Sequence, residues 1–186
     1  MTVDAKEAAD AIQKGKVVVC PTDTVYGLTA DATSKKAVQR VFQIKGREKG
    51  KPLPVFVKDI AMAKRLAKIS KGQEAFLQKV WPGKVTAVLE SKGRLPKVLE
   101  REGKVALRIP KNELVRDLLQ KLNRPLTGTS ANVSSQPSCS SAQEVMAQFA
   151  QRKHKPDLVI DGGRLRKSKP SQIVDITGKK MRILRR

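Results

Sequence analysis

Chemistry in this chain has to come from hydroxyls, amines and guanidinium groups gathered in a few short stretches. Pro21 to Asp31 (PTDTVYGLTAD) sets the hydroxyls of Thr22 and Thr24 near Gly27, where a backbone can come close to a ligand. Lys45 to Leu53 (KGREKGKPL) gathers Lys45, Arg47, Lys49 and Lys51 in a loop shaped by Gly46, Gly50 and Pro52. Arginine there can hold a phosphate or carboxylate through two parallel hydrogen bonds. The stretch matches no Walker pattern.

Thr127 to Ser138 (TGTSANVSSQPS) crowds hydroxyls with too few apolar residues to form core. Ser130 and Asn132, two apart, would point to one side of an extended backbone and could grip one ligand. An anion-holding loop and a plain solvated turn before a helix both fit this composition. Near the end, Ser171 precedes a strand-like run, and Arg182, Arg185 and Arg186 cluster in MRILRR. A strand there would hold an arginine in place.

The exclusions are sharp. His154 is the one histidine and sits among lysines in QRKHKP, so a histidine-rich metal site is excluded and a Ser–His–Asp site would rest on that residue. Cys20 and Cys139 have no metal-like spacing, and Cys20 ends the apolar run VVVC as a small buried hydrophobe. Asp23 and Asp31 are the carboxylates a magnesium ion could meet, with an ordinary loop role as the simpler reading. Against 17 Asp plus Glu stand 39 Lys plus Arg, a net charge of +22 that attracts polyanions. Aromatics are 3% of residues, so phosphate contact fits better than base stacking.

These stretches need elements to position them. DAKEAADAIQKG has helical spacing at Ala8, Ala11 and Ile12, with Asp4 and Glu7 placed to cap it and Gly15 to stop it. KVVVC is a short strand closed by Pro21. Ser34 caps a helix that carries Ala37, Val38, Val41 and Phe42 on one face. LPVFV, KVTAVLE, VALRIP, DLVID, QIVDIT and MRILR read as strands. IAMAKRLAKI, EAFLQKVW, NELVRDLLQKL and SAQEVMAQFA read as helices, the last with a Ser141–Glu144 capping box. Interspersed helices and strands in 186 residues imply one α/β domain over 1–186, a twisted mixed sheet with flanking helices. No apolar run approaches the roughly 20 residues that span a bilayer, and the polar N-terminus lacks a signal-peptide pattern. A soluble cytoplasmic protein is expected.

In this order the motifs resemble the Sua5/YrdC family: Pro21–Gly27, Lys45–Arg47, Trp81–Gly83, Val105–Pro110, Ser130–Asn132 and Ser171–Asp175. The resemblance runs from about residue 10 to the C-terminus and is to the short, YrdC-like form. It implies a threonylcarbamoyl-AMP synthase that joins L-threonine, bicarbonate and ATP, with Mg2+ on the nucleotide, and releases pyrophosphate. Other proteins would then transfer the group to adenosine 37 of tRNAs reading ANN codons. By matched position, Thr24, Arg108, Gly128 and Ser171 would hold threonine. Lys45, Arg47, Lys51, Ser130, Asn132, Ser138 and Arg185 would face ATP, with Lys45 and Arg47 catalytic, and Lys49 and Gly50 would be lid hinges. The sequence departs from the family at Phe56, where histidine is frequent, at Pro170 and Gln172, and at Ser135. The alternatives are a non-catalytic module that binds tRNA or ribosomal RNA through its basic surface, and a YciO-like paralogue.

Overall fold

The computed structural model describes residues 5–48, 50–166, 168, 170–178 and 180–185, so Asp4, Lys49 and Arg186 of the sequence reading lie outside the described residues. Helix α1 (Ala5–Gln13) buries Ala8, Ala9, Ala11 and Ile12 and ends before Gly15, whose φ is +76°. Strands β1 (Val18–Cys20) and β2 (Gly27–Thr29) follow, then α2 (Lys35–Lys45). Ser34 Oγ accepts the Ala37 N–H at 3.2 Å, and α2 stops at Gly46 in the left-handed region (φ 61°).

After β3 (Val55–Phe56), α3 (Ile60–Leu66) ends sooner than its apolar pattern, because Ala67–Lys68 leaves as strand β4 to pair with the next strand. Helix α4 (Lys71–Val80) has a full capping box, Ser70 with Gln73. Strand β5 (Val85–Ser91), β6 (Glu100–Arg101) and β7 (Lys104–Arg108) come next. The β6–β7 hairpin turns at Glu102 and Gly103, both at positive φ as its two-residue turn requires. Helix α5 (Glu113–Leu122) carries Val115, Leu118, Leu119 and Leu122 on one face. Then come β8 (Leu126–Thr127), β9 (Thr129–Ser130), α6 (Ala142–Phe149), β10 (Leu158–Val159), β11 (Gln172–Asp175) and β12 (Arg182–Arg185). The expected box at α6 forms only by half. Ser141 Oγ accepts the Glu144 N–H, but Glu144 accepts from the N–H of Ser140, at 2.6 Å.

The mixed α/β class holds, with the strands divided between two sheets. The smaller has the order β10-β1-β2-β9; the larger runs β12-β11-β5-β7-β3-β8, with β4 on β5 and β6 on β7. Both mix parallel and antiparallel pairs. One core cluster joins α1 and α5 with Val18, Cys20, Phe56 and Leu126; the larger one packs α2, α3, α4 and α6 against the sheets. Among the described residues no helix is long and apolar enough to cross a membrane.

The hydroxyl run is not simply a loop. The chain leaves the larger sheet at Thr127 and enters the smaller at Thr129, crossing at Gly128. Thr127 is fully buried, and its Oγ1 accepts the Ala30 N–H at 3.0 Å and donates to Leu28 O at 3.3 Å. A β-branched residue with a hydroxyl therefore serves as core and as the tie between the sheets. Thr127→Val keeps the shape but leaves the Ala30 N–H without that acceptor. It should lower unfolding free energy by about 1–3 kcal/mol in urea titration.

Candidate functional site

An open cavity of about 510 Å³ lies where the two sheets diverge from the Gly128 crossing. Its polar end is lined by Thr22, Thr24, Arg47, Arg108, Gly128, Ser130, Ser138, Ser171 and Arg185. Residues up to 163 positions apart in sequence meet here because β2, β7, β9 and β12 all end or run beside the opening. Lys45, Lys51 and Asn132 do not line it.

Arg108 ends β7 and is buried, and its guanidinium is held from two sides. Nε donates to the Gly83 carbonyl at 2.7 Å, and a terminal nitrogen donates to Asp23 Oδ2 at 2.6 Å. This accounts for the Trp-Pro-Gly motif. The Trp81 indole N–H donates to Val85 O at 2.7 Å, closing the turn, and the Gly83 N–H donates to Ile109 O at 3.0 Å. Gly83 allows no side chain, since a Cβ would lie 2.4 Å from Val80 O. Burial first, and the charge of Arg185 last, push the Arg108 guanidinium below its ordinary value against the pull of Asp23. The Phe56 ring faces the same guanidinium, 5.8 Å from its centroid. That ring also explains Gly128: a Cβ there would come within 2.6–2.8 Å of three ring carbons. The Gly128 N–H is spent on Pro54 O at 2.8 Å.

Lys45 is buried behind the cavity wall. Its ammonium donates to Ser130 O and Asn132 Oδ1, both at 2.8 Å, to Asn132 O at 3.1 Å and to Ser130 Oγ at 3.3 Å. Ser130 and Asn132 do grip one group together, and in this structure that group is Lys45. The Asn132 amide N–H groups go to Val133 O and Gln136 O, so the side chain is committed to the shape of the 130–136 loop. Burial, then the Arg47 charge, lower the Lys45 ammonium to about 8. Arg47 reaches the cavity with Nε on Lys51 O at 2.7 Å and a terminal nitrogen on Pro52 O at 3.3 Å. Burial, then Arg185, push it down. Lys51 is exposed, with its ammonium 2.7 Å from Glu48. Gly50 stands at φ +95°, a conformation that glycine takes without strain.

Arg185, on the edge strand β12, chelates the Ser171 carbonyl through Nε at 3.1 Å and a terminal nitrogen at 2.7 Å. Ser171 Oγ lies 3.0 Å from Thr86 Oγ1. Farther along the same sheet face, Lys104 and Arg182 share Asp175 Oδ2 at 3.0 and 3.4 Å. Burial opposes ionisation of Asp175, but hydrogen bonds from Thr177 and Lys104 outweigh it and leave its pKa at about 2. The sequence reading named Gly83 and Asp175 as motif members without a role, and it missed Thr86 and Lys104. Their signal was period-2 spacing: Lys104, Ala106 and Arg108 share one face of β7, and Thr86 and Val88 one face of β5. Asp31, by contrast, is a structural carboxylate, bound to Thr33 and to Arg124 at 2.8 Å. Among the described residues no group of three or more His, Cys, Asp or Glu could hold a metal ion.

A comparison with protein families decides the kinship. The Sua5/YciO/YrdC family model, described as telomere recombination, matches residues 10–186. The chain belongs to the Sua5/YciO/YrdC family. It is 37% identical over 172 residues to the threonylcarbamoyl-AMP synthase of Pyrococcus abyssi, covering 91% of this chain and 50% of that protein. The chain thus spans about half the length of that relative. The synthase of Serratia proteamaculans is 34% identical over 179 residues, covering 93% of this chain and 92% of that protein. A structure of P. abyssi Sua5 complexed with L-threonine superposes with a TM-score of 0.90 at 35% identity, over 100% of this chain and 55% of that one. The E. coli YciO structure has a TM-score of 0.86 at 24% identity, covering 97% of this chain and 87% of that one, and shows the shared fold alone.

If Lys45 is what orders the 130–136 loop, Lys45→Met should loosen it without unfolding the domain. Amide hydrogen exchange in that segment should speed up by about tenfold or more, while α1 and α5 keep wild-type protection.

Proposed function

We propose that this chain carries out the synthase reaction of its relatives, making L-threonylcarbamoyladenylate and pyrophosphate from L-threonine, bicarbonate and ATP. The observation that carries this reading is the convergence of Arg47, Arg108 and Arg185 on one cavity beside the hydroxyls of Thr24, Ser130, Ser138 and Ser171. An amino-acid carboxylate and a triphosphate together bring several negative charges, and such a site offers fixed donors for all of them.

In this reading Arg108, Thr24 and Ser171 hold threonine, and Gly128 makes room by having no side chain. Arg47, Arg185, Ser130 and Ser138 face the nucleotide. Lys45 and Asn132 act from behind by fixing the Ser130 loop, and Lys51 reaches the phosphates by leaving Glu48. Attack of the carbamate oxygen on the α-phosphorus shifts charge onto pyrophosphate. Placing guanidinium groups at that charge, with the reactants aligned, is the protein's main contribution. Magnesium would arrive as part of the nucleotide substrate. The product would pass to transfer proteins for N6-threonylcarbamoyladenosine at position 37 of ANN-decoding tRNA.

The net charge of +22 favours a second, compatible reading in which the outer surface contacts tRNA or other RNA. Contact through about four phosphates would give a log–log salt slope near −3. RNA binding of that kind, with no threonine-dependent use of ATP, would leave the binding-module reading in place of the enzyme.

Pyrophosphate release from ATP by the purified protein should require both L-threonine and bicarbonate. Arg47→Ala should cut that release by about 100-fold or more while the urea midpoint stays put. Full activity in Arg47→Ala would sink the site assignment.

A further inference from the structure

Behind Arg108, which lines the polar end of the cavity, one acceptor is left over. Asp23 gives Oδ2 to Arg108 at 2.6 Å, while Oδ1 is buried and has no hydrogen-bond partner among the described residues. A buried carboxylate oxygen without a donor is costly, and one placed beside a ligand-facing guanidinium points to a partner that arrives with the ligand. The neighbouring Thr24 hydroxyl presents the same polarity. Thr22 Oγ1 donates its proton to Val25 O at 2.7 Å, so in the 3.1 Å contact between the two threonines Thr24 is the donor. The Thr24 lone pairs remain for the cavity it lines. Asp23 Oδ1 thus stands beside the guanidinium of Arg108, and Thr24 Oγ1, one residue on, belongs to the same cavity lining. That is the polarity of an α-amino acid zwitterion read from its carboxylate to its ammonium.

We propose that Asp23 is a substrate-binding residue whose Oδ1 accepts the α-amino group of the amino-acid substrate while Oδ2 keeps Arg108 aimed at its carboxylate. The inference rests on the threonine reading above and adds the group that selects the amine. The χ2 torsion of a carboxylate is broad and soft, and the proposal requires that it turn Oδ1 toward the cavity when the substrate arrives, with the Arg108 bond retained. Recognition of the amine orients its nitrogen, the atom that must become carbamoylated.

The test uses L-threonine and 3-hydroxybutanoate, which keeps the carboxylate and β-hydroxyl but lacks the amine, with calorimetric affinities for each. Wild type should prefer threonine by about 10- to 100-fold. In Asp23→Asn the amide oxygen can still accept from Arg108, but an NH2 donor replaces the spare acceptor. The variant should lose the preference for threonine, bind 3-hydroxybutanoate as wild type does, and bind ATP unchanged. Asp23→Glu, which restores a carboxylate, should recover part of the preference. Equal affinity of wild type for both ligands overturns the proposal without any variant. So does an Asp23→Asn protein that loses both ligands in parallel, since Asp23 then only positions Arg108. Wild type that binds neither ligand overturns the threonine reading itself, and this inference with it.

Discussion

Several like charges held together in a half-buried space are the constraint on which this molecule turns. Arg47, Arg108 and Arg185 line one opening with Lys45 behind its wall, and burial or a neighbouring cation pushes each below its ordinary value. Pairing every cation with a carboxylate would relieve the repulsion and also neutralise the site. The chain mostly uses backbone carbonyls instead. Gly83 O receives Arg108, Lys51 O and Pro52 O receive Arg47, Ser171 O receives Arg185, and Ser130 O and Asn132 O receive Lys45. A carbonyl orients a guanidinium or ammonium without cancelling its charge, so the attraction for an anion survives the cost of fixing the cation.

That economy accounts for the motif series as a set of partnerships. Trp-Pro-Gly supplies the carbonyl for the arginine of Val-Ala-Leu-Arg, and Ser-Ala-Asn supplies those for the lysine of Lys-Gly-Arg. The late serine supplies one for the arginine that follows it on β12. Glycines enter where space runs out: Gly83 against Val80 O, Gly128 against the Phe56 ring. Each motif is weak alone because half of its purpose lies in another motif far along the chain. The crossing at Gly128 brings the halves together by sending consecutive residues into different sheets.

Sequence made some of this legible and withheld the rest for physical reasons. Helical periodicity in α2 and α5 and the cap at Ser34 are local signals, and they survive in the structure. Strands of two residues such as Leu126–Thr127 and Thr129–Ser130 carry no period, and threonine suits a strand as well as a turn. Reading that run as a loop therefore missed that Thr127 is core. Thr24, Arg47, Arg108, Gly128, Ser130, Ser138, Ser171 and Arg185 could be named one by one, and they line the cavity, while Lys45, Lys51 and Asn132 do not. What each does could not, because the partner of Arg108 is Asp23, 85 positions away, and that of Lys45 is a loop 85 to 87 positions on. Which of two neighbouring cations faces the cavity and which is turned behind the wall is a property of packing. Arg47 and Lys45 differ by two residues and lie on opposite sides of it.

Phe56 shows how the same constraint bears on a single position. Its ring lies under Arg108 and against Gly128, so it presses on the arginine that lacks room for another positive neighbour. An imidazole at this place would gain charge below about pH 6.5 and add to the repulsion just where Arg108 is least solvated. A phenyl ring offers its negative face to the guanidinium at every pH. With His154 exposed elsewhere on the surface, no side chain lining the cavity among the described residues has an ordinary pKa between about 5 and 8. The departure at Phe56 gives up a hydrogen-bonding group and, in exchange, keeps an imidazole's titration out of the cavity lining, while the Lys45 ammonium behind the wall is lowered to about 8. Selection among anions at the cavity surface then rests on shape and on the few acceptors beside Arg108, since no described side chain of the lining is an imidazole or a thiol.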